Sequence, residues 1–249
     1  MRIRAMILLP PALALAAAAP PPGRPAGPAD ASATAADDFD FSYTYPAEAA
    51  RIAPLRAWLD KDRATRRAVM ARDAGAARRE AARSGYPYRR YDFQLAWKTV
   101  TETPQFLSLS GESYAFTGGA HGNSASLALL WDKTARRRLA PVQLFASPAA
   151  LQAALGPAFC VALDAERAKR RGAPVPRNSD DMFAQCPKVS ETTLLLGSGD
   201  RRRLNRVTLV ADPYVAGPYA EGRYEINLPV TAAVIAAVKP AYRAAFAVR

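Results

Sequence analysis

His121 is the only histidine of the chain, and it sits in "YAFTGGAHGN" (Tyr114 to Asn123) with Gly118, Gly119 and Gly122 around it. An imidazole titrates near neutrality, so a histidine on a glycine loop is the first residue to consider for proton transfer. A base needs partners, however, and no G-x-S-x-G elbow, H-E-x-x-H pair or phosphate-binding loop accompanies it. Ser124 and Ser126 are the nearest nucleophile candidates, and no orienting acid is identifiable beside them. The reading adopted is architectural. The three glycines supply positive backbone dihedrals for a crossing between strands, while His121 and Asn123 hydrogen-bond the turn. No catalytic residue, cofactor or metal ligand is assigned, and a hydrolase built on His121 is the alternative.

The second group able to do chemistry is arginine. Lys and Arg number 34 against 22 Asp and Glu, a formal net charge of +12, and arginine supplies most of the cations. Arg136, Arg137 and Arg138 form one predicted turn, Arg201, Arg202 and Arg203 another, and Lys169-Arg170-Arg171 ends a helix. Arginine's planar fork matches carboxylate and phosphate, so both turn triplets are candidate anion-binding sites. The cations of the Ala/Arg-rich stretch near residues 63–83 read instead as a solvated helix face.

The N-terminus has the form of a leader. Arg2 and Arg4 precede the apolar Ala5 to Ala19, too short to span a bilayer, and A-x-A patterns follow at Ala17 to Ala19 and between Ala31 and Ala35. Residues 1–35 are therefore expected to be a cleaved signal peptide and a Pro/Ala/Gly-rich disordered linker, with no cysteine placed for lipid attachment. Export points to the periplasm or beyond and away from nucleic acid as a partner. An oxidising compartment also favours a disulfide between Cys160 and Cys186, the only two cysteines.

These residues need elements to position them. "FDFSYTY" alternates as a strand, and a helix starting at Pro46 or Pro54 carries Ile52, Leu55 and Leu59 on one face and ends at Gly85. Tyr91, Phe93, Leu95 and Trp97 share a strand face, "QFLSLSGESYAF" and "SASLALLW" are further strands, and "WDKTARRRL" connects as a hairpin to "APVQLF". Ser147-Pro148 opens a helix with Leu151, Leu155, Phe159 and Leu163 on one side. Two strands around Gly-Ser-Gly-Asp, then "YEINLPV" and a short helix interrupted at Pro240, complete the chain. Strands with helices inserted predict an α+β fold, an antiparallel β-sheet packed against helices in two intimately packed subdomains.

"LSLSGESYAFTGGAHGN", "LLWDKTARRRLAPVQLF" and "YVAGPYAEGRYEINLPVTAAV" resemble the landmarks of the RsiV-like C-terminal domain family, a bacterial domain of unknown function. The resemblance implies a companion domain over residues 39–119, of the kind found at the N-terminus of PdaC-type peptidoglycan deacetylases. It implies an RsiV-like domain over 120–246. Where the family usually has glycine in the hairpin, this chain has Ala135. Neither an anti-sigma role nor deacetylase activity carries over, because the segments for them are not in the sequence. Lysozyme is the partner that the resemblance implies, although two basic proteins attract only through a locally acidic patch. The expectation is an exported, periplasmic, non-catalytic binding module of the cell envelope. Its partner is a peptidoglycan or anionic envelope polymer, or a protein, and it has no transmembrane segment once mature. A lysozyme-binding or lysozyme-inhibiting protein is the second alternative.

Overall fold

The computed structural model describes residues 38–176 and 181–249, so the expected leader and linker over 1–35 lie outside the described residues. In β1 (Phe39–Thr44), Phe39 and Tyr43 are buried and Asp40 is exposed. α1 (Ala47–Ala50) and α2 (Ala53–Ser84) follow, α2 starting with Pro54 in its first turn and ending at Gly85, whose φ of 71° closes the helix in the left-handed conformation. The helix brings the chain back to β2 (Tyr91–Glu102), which pairs with β1 in parallel. A helical crossover permits that direction, whereas short turns force reversal. β3 (Phe106–Phe116), β4 (Asn123–Asp132) and β5 (Arg137–Leu139) accordingly add antiparallel, in the order β1-β2-β3-β4-β5. Beyond the hairpin, "APVQLF" adds no strand: Pro141 has no N–H for a ladder, and Pro141–Leu144 forms a 3-10 turn.

α3 (Pro148–Arg171) is capped by the Ser147 side chain, which accepts from the Ala150 N–H. Leu151, Leu155, Phe159 and Leu163 are all buried at four-residue spacing. By length and composition α3 could cross a membrane; that stripe packs into the core. Cys160 on this helix is disulfide-bonded to Cys186. β6 (Thr193–Gly197), β7 (Arg206–Ala211) and β8 (Tyr224–Pro229) form a second, antiparallel sheet, and α4 (Ala232–Ala237) precedes a 3-10 turn at Pro240–Ala245.

The first sheet serves two cores. Leu107, Leu129 and Trp131 pack with Phe93, Leu95 and Trp97 beneath α2, while the adjacent Phe106 and Leu130 enter the core made with α3 and the second sheet. Alternate side chains of a strand point to opposite faces, so one strand can feed both. The result is mixed α+β with mostly antiparallel sheets. Residue 119 falls in the loop between β3 and β4, and β4 and β5 belong to the same sheet as β1 to β3.

Candidate functional site

The β3–β4 loop is shaped by three different devices. Of its glycines only Gly118 has a positive φ, 85°. The expectation that Gly119 and Gly122 do likewise is corrected: Gly122 is there for room, since a Cβ would lie 2.2 Å from Cζ of Tyr114. Arg89 clamps the loop, donating to the carbonyl oxygens of Gly118 at 3.0 Å and Gly119 at 2.5 Å with its guanidinium over the Phe116 ring. Asn123 begins β4 opposite Ala115 and, among the described residues, makes no side-chain hydrogen bond in the turn.

His121 is exposed, and its ring stacks on Tyr219 with centroids 4.2 Å apart. Its Nδ1 lies 2.9 Å from the carbonyl oxygen of Gly122. A carbonyl only accepts, so Nδ1 is the donor of this contact, and Nε2 lies 3.4 Å from the Tyr214 hydroxyl. Among the described residues no carboxylate bonds either ring nitrogen, and no group of three His, Cys, Asp or Glu could hold a metal ion. Burial, then the charge of Asp92, then Tyr219 raise the Tyr114 hydroxyl above its ordinary pKa and keep it neutral.

Tyr214 is held at φ 71° while 54% exposed, its N–H donating to the Gly217 carbonyl. A bulky side chain in the left-handed region costs about 1–2 kcal/mol, and such strain persists only where surrounding structure enforces it. Among the described residues the other two non-glycines with positive φ are Arg136 (51°) and Arg201 (57°), each inside an arginine triplet. The left-handed residue of the β4–β5 hairpin is thus Arg136, one position after Ala135.

The loop carrying Tyr214 and Tyr219 is anchored by the end of α3. Arg167, the next residue in the four-residue series after Leu163, is fully buried and donates to the carbonyl oxygens of Ala216 at 2.8 Å and Gln185 at 3.1 Å. Arg170 lies over the Tyr224 ring and donates to the carbonyls of Glu221 and Arg223, and Arg171 pairs through two nitrogens with the Glu221 carboxylate. Burial opposes ionisation of Glu221, but Arg171 overrides it and the carboxyl is held below its usual range. Arg170 and Arg171 are therefore internal fasteners and not a free anion patch.

Ser126 has an acid partner after all. Its N–H and hydroxyl both donate to the Asp212 carboxylate, at 2.8 and 2.6 Å, and its carbonyl accepts from Thr193. This ties β4 to the second sheet, and no histidine completes the set. Tyr214, Tyr219, Asp212 and Arg89 had no motif to announce them; Arg167 had one, the continued spacing of the α3 stripe.

The two turn triplets flank the C-terminal segment. Arg137 donates to the Tyr242 hydroxyl, and Leu204, directly after Arg203, donates to the Ala245 carbonyl. The Arg138 guanidinium carbon lies over Trp58, 3.8 Å from the ring centroid. In the other turn the Asp200 carboxylate accepts from the backbone N–H of Arg202 and Arg203, which leaves the Arg201 to Arg203 side chains displayed outward and exposed.

Residues 33–124 match a protein-family model described as Deacetylase PdaC. That match runs through β1, α1, α2, β2, β3 and the His121 loop. Two solved structures are similar to this chain. A DUF3298 family protein from Pseudomonas aeruginosa PAO1 is 22% identical with a TM-score of 0.40, over 70% of this chain and 72% of that one. A member of the same family from Bacteroides fragilis NCTC 9343 is 20% identical with a TM-score of 0.45, over 70% and 66%. No curated protein matches.

Proposed function

We propose that this chain is an exported binding module of the bacterial cell envelope, that its ligand is peptidoglycan, and that it performs no chemical step on it. The observation that carries the reading is the match of residues 33–124 to the PdaC deacetylase model, which the sequence resemblance ties to enzymes of peptidoglycan. The leader expected over 1–35 and the RsiV-like character of 120–246 belong to the same reading. The geometry supports it through the ring shelf of His121, Tyr219 and the strained, exposed Tyr214. Aromatic faces with hydroxyl and imidazole edges suit a sugar, apolar on its ring face and polar at its rim.

The test is sedimentation of the protein with isolated cell-wall sacculi. The protein is expected in the pellet, and Tyr214→Gly should return it to the supernatant while folding stability holds or rises by about 1 kcal/mol as the left-handed strain is relieved. Wild-type protein left in the supernatant refutes the proposal. One observation favours the hydrolase alternative, Nε2 of His121 facing the Tyr214 hydroxyl. Soluble fragments released from sacculi by wild type but not by His121→Ala would replace the binding reading with that one. Lysozyme, added at low ionic strength in the same series, tests the protein-ligand alternative.

A further inference from the structure

All three tryptophans of the chain line two hollows on the α2 face of the five-stranded sheet. Trp58 and Trp97 line one of about 530 Å³, and Trp131 lines the other, of about 580 Å³. The start of α2 stands between them, Pro54 bordering one and Trp58 the other. The β4–β5 hairpin reaches into both, Arg136 from its turn and Arg138 from β5, while Arg137 donates to Tyr242.

Each arginine is held in place. The Asp132 carboxylate fixes the turn by accepting from the N–H groups of Thr134 and Ala135, and Arg136 follows in its left-handed conformation. The Trp58 indole lies under the Arg138 guanidinium, 3.8 Å from its carbon to the ring centroid, and among the described residues Arg138 has no carboxylate partner. A guanidinium stacked on a ring keeps its N–H edge free for a planar anion and is organised before binding. Charge in the second hollow is mixed: Arg51, Lys133 and Arg136 stand with Glu48 and Glu102, and Lys133 pairs with Glu102 at 2.7 Å. A uniform polyanion would meet those carboxylates unfavourably, whereas a ligand with charges of both signs is complementary to them.

We propose that the two hollows form a peptide-binding site, separate from the His121 shelf, for a short acidic peptide that carries carboxylates and an amine. Arg138 takes a carboxylate through its fork, and the mixed-charge hollow takes the zwitterionic remainder. That such a peptide is the stem of peptidoglycan rests on the function proposed above; the chemistry of the site does not.

The experiment titrates the full chain with three probes: a peptidoglycan disaccharide bearing its tetrapeptide, the same disaccharide without peptide, and tripolyphosphate. Tryptophan emission and calorimetry are read together. Because every tryptophan borders the hollows, the tetrapeptide compound is expected to change emission saturably and to bind at least tenfold tighter than the peptide-free sugar. Arg138→Gln should abolish that tenfold advantage and Arg138→Lys should restore part of it; thermal midpoints verify that each variant is folded. The inference is overturned if Arg138→Gln leaves the advantage unchanged, if emission is indifferent to the tetrapeptide compound, or if tripolyphosphate binds more tightly and displaces it. Tetrapeptide binding without retention on sacculi would sink the function proposed above and leave this site standing. Retention on sacculi with no tetrapeptide preference would do the reverse.

Discussion

Arg167 donates from Nε to the carbonyl oxygen of Ala216 across 2.8 Å, joining α3 to the loop that presents Tyr214 and Tyr219 to His121. Desolvation lowers the guanidinium pKa, and the Asp164 charge partly offsets it. Replacing it with Met leaves the carbonyls of Ala216 and Gln185 without their donor. Arg167→Met is expected to lose about 3 kcal/mol in urea unfolding, the cost of breaking a buried charged network. Arg167→Lys should recover little, because one ammonium cannot reproduce the fork.

The three glycines of the histidine loop should separate in stability. Gly122→Ala drives a methyl into the Tyr114 ring and is expected to cost about 1–3 kcal/mol. Gly118→Ala, strained by its φ of 85°, should cost about 1–2 kcal/mol. Gly119→Ala meets neither obstacle and should fall within about 0.5 kcal/mol of wild type. Denaturant midpoints of the three variants decide it.

Asp200 titrates at about 2, held down chiefly by the backbone N–H of Arg202, with the Ser198 hydroxyl and the Arg203 N–H helping. A carboxyl depressed in the folded state lends stability above its ordinary pKa, and that contribution disappears as pH falls through the folded value. The amide resonances of Arg202 and Arg203 are therefore expected to hold steady down to roughly pH 4 and to shift together towards pH 2. In Asp200→Asn that joint transition should vanish.

The Cys160–Cys186 bond closes a loop over a sequence separation of 26. Reduction, or a Cys160→Ser/Cys186→Ser double variant, should lower stability by about 3 kcal/mol through the entropy regained by the unfolded chain. Thermal unfolding with and without reductant measures it, and the double variant should be insensitive to reductant.

Most of the framework was legible in the residues. Ser147-Pro148, Gly85 and the Leu151–Leu163 series mark helix ends and faces because caps and apolar spacing are local properties. The direction of β1 was not, since pairing depends on where a helix delivers the chain. The site was legible only at His121. Its neighbours Tyr214 and Tyr219 arrive from a loop some ninety residues away, and no local pattern encodes that meeting. The glycines carried an ambiguous signal, because one residue type answers both a backbone demand at Gly118 and a space demand at Gly122. The arginine triplets held a similar ambiguity: consecutive residues of one triplet part company at β5, Arg137 to Tyr242 and Arg138 to Trp58.

β1 has its hydrogen-bonding partner, β2, on the far side of the whole of α2. Synthesis from the N-terminus therefore leaves Phe39, Phe41 and Tyr43 without an edge to dock on until residue 91 and those after it have been made, and loop closure over that distance is slow compared with helix growth. A chain built in this order keeps its first strand unpaired until the strand beyond α2 has been made.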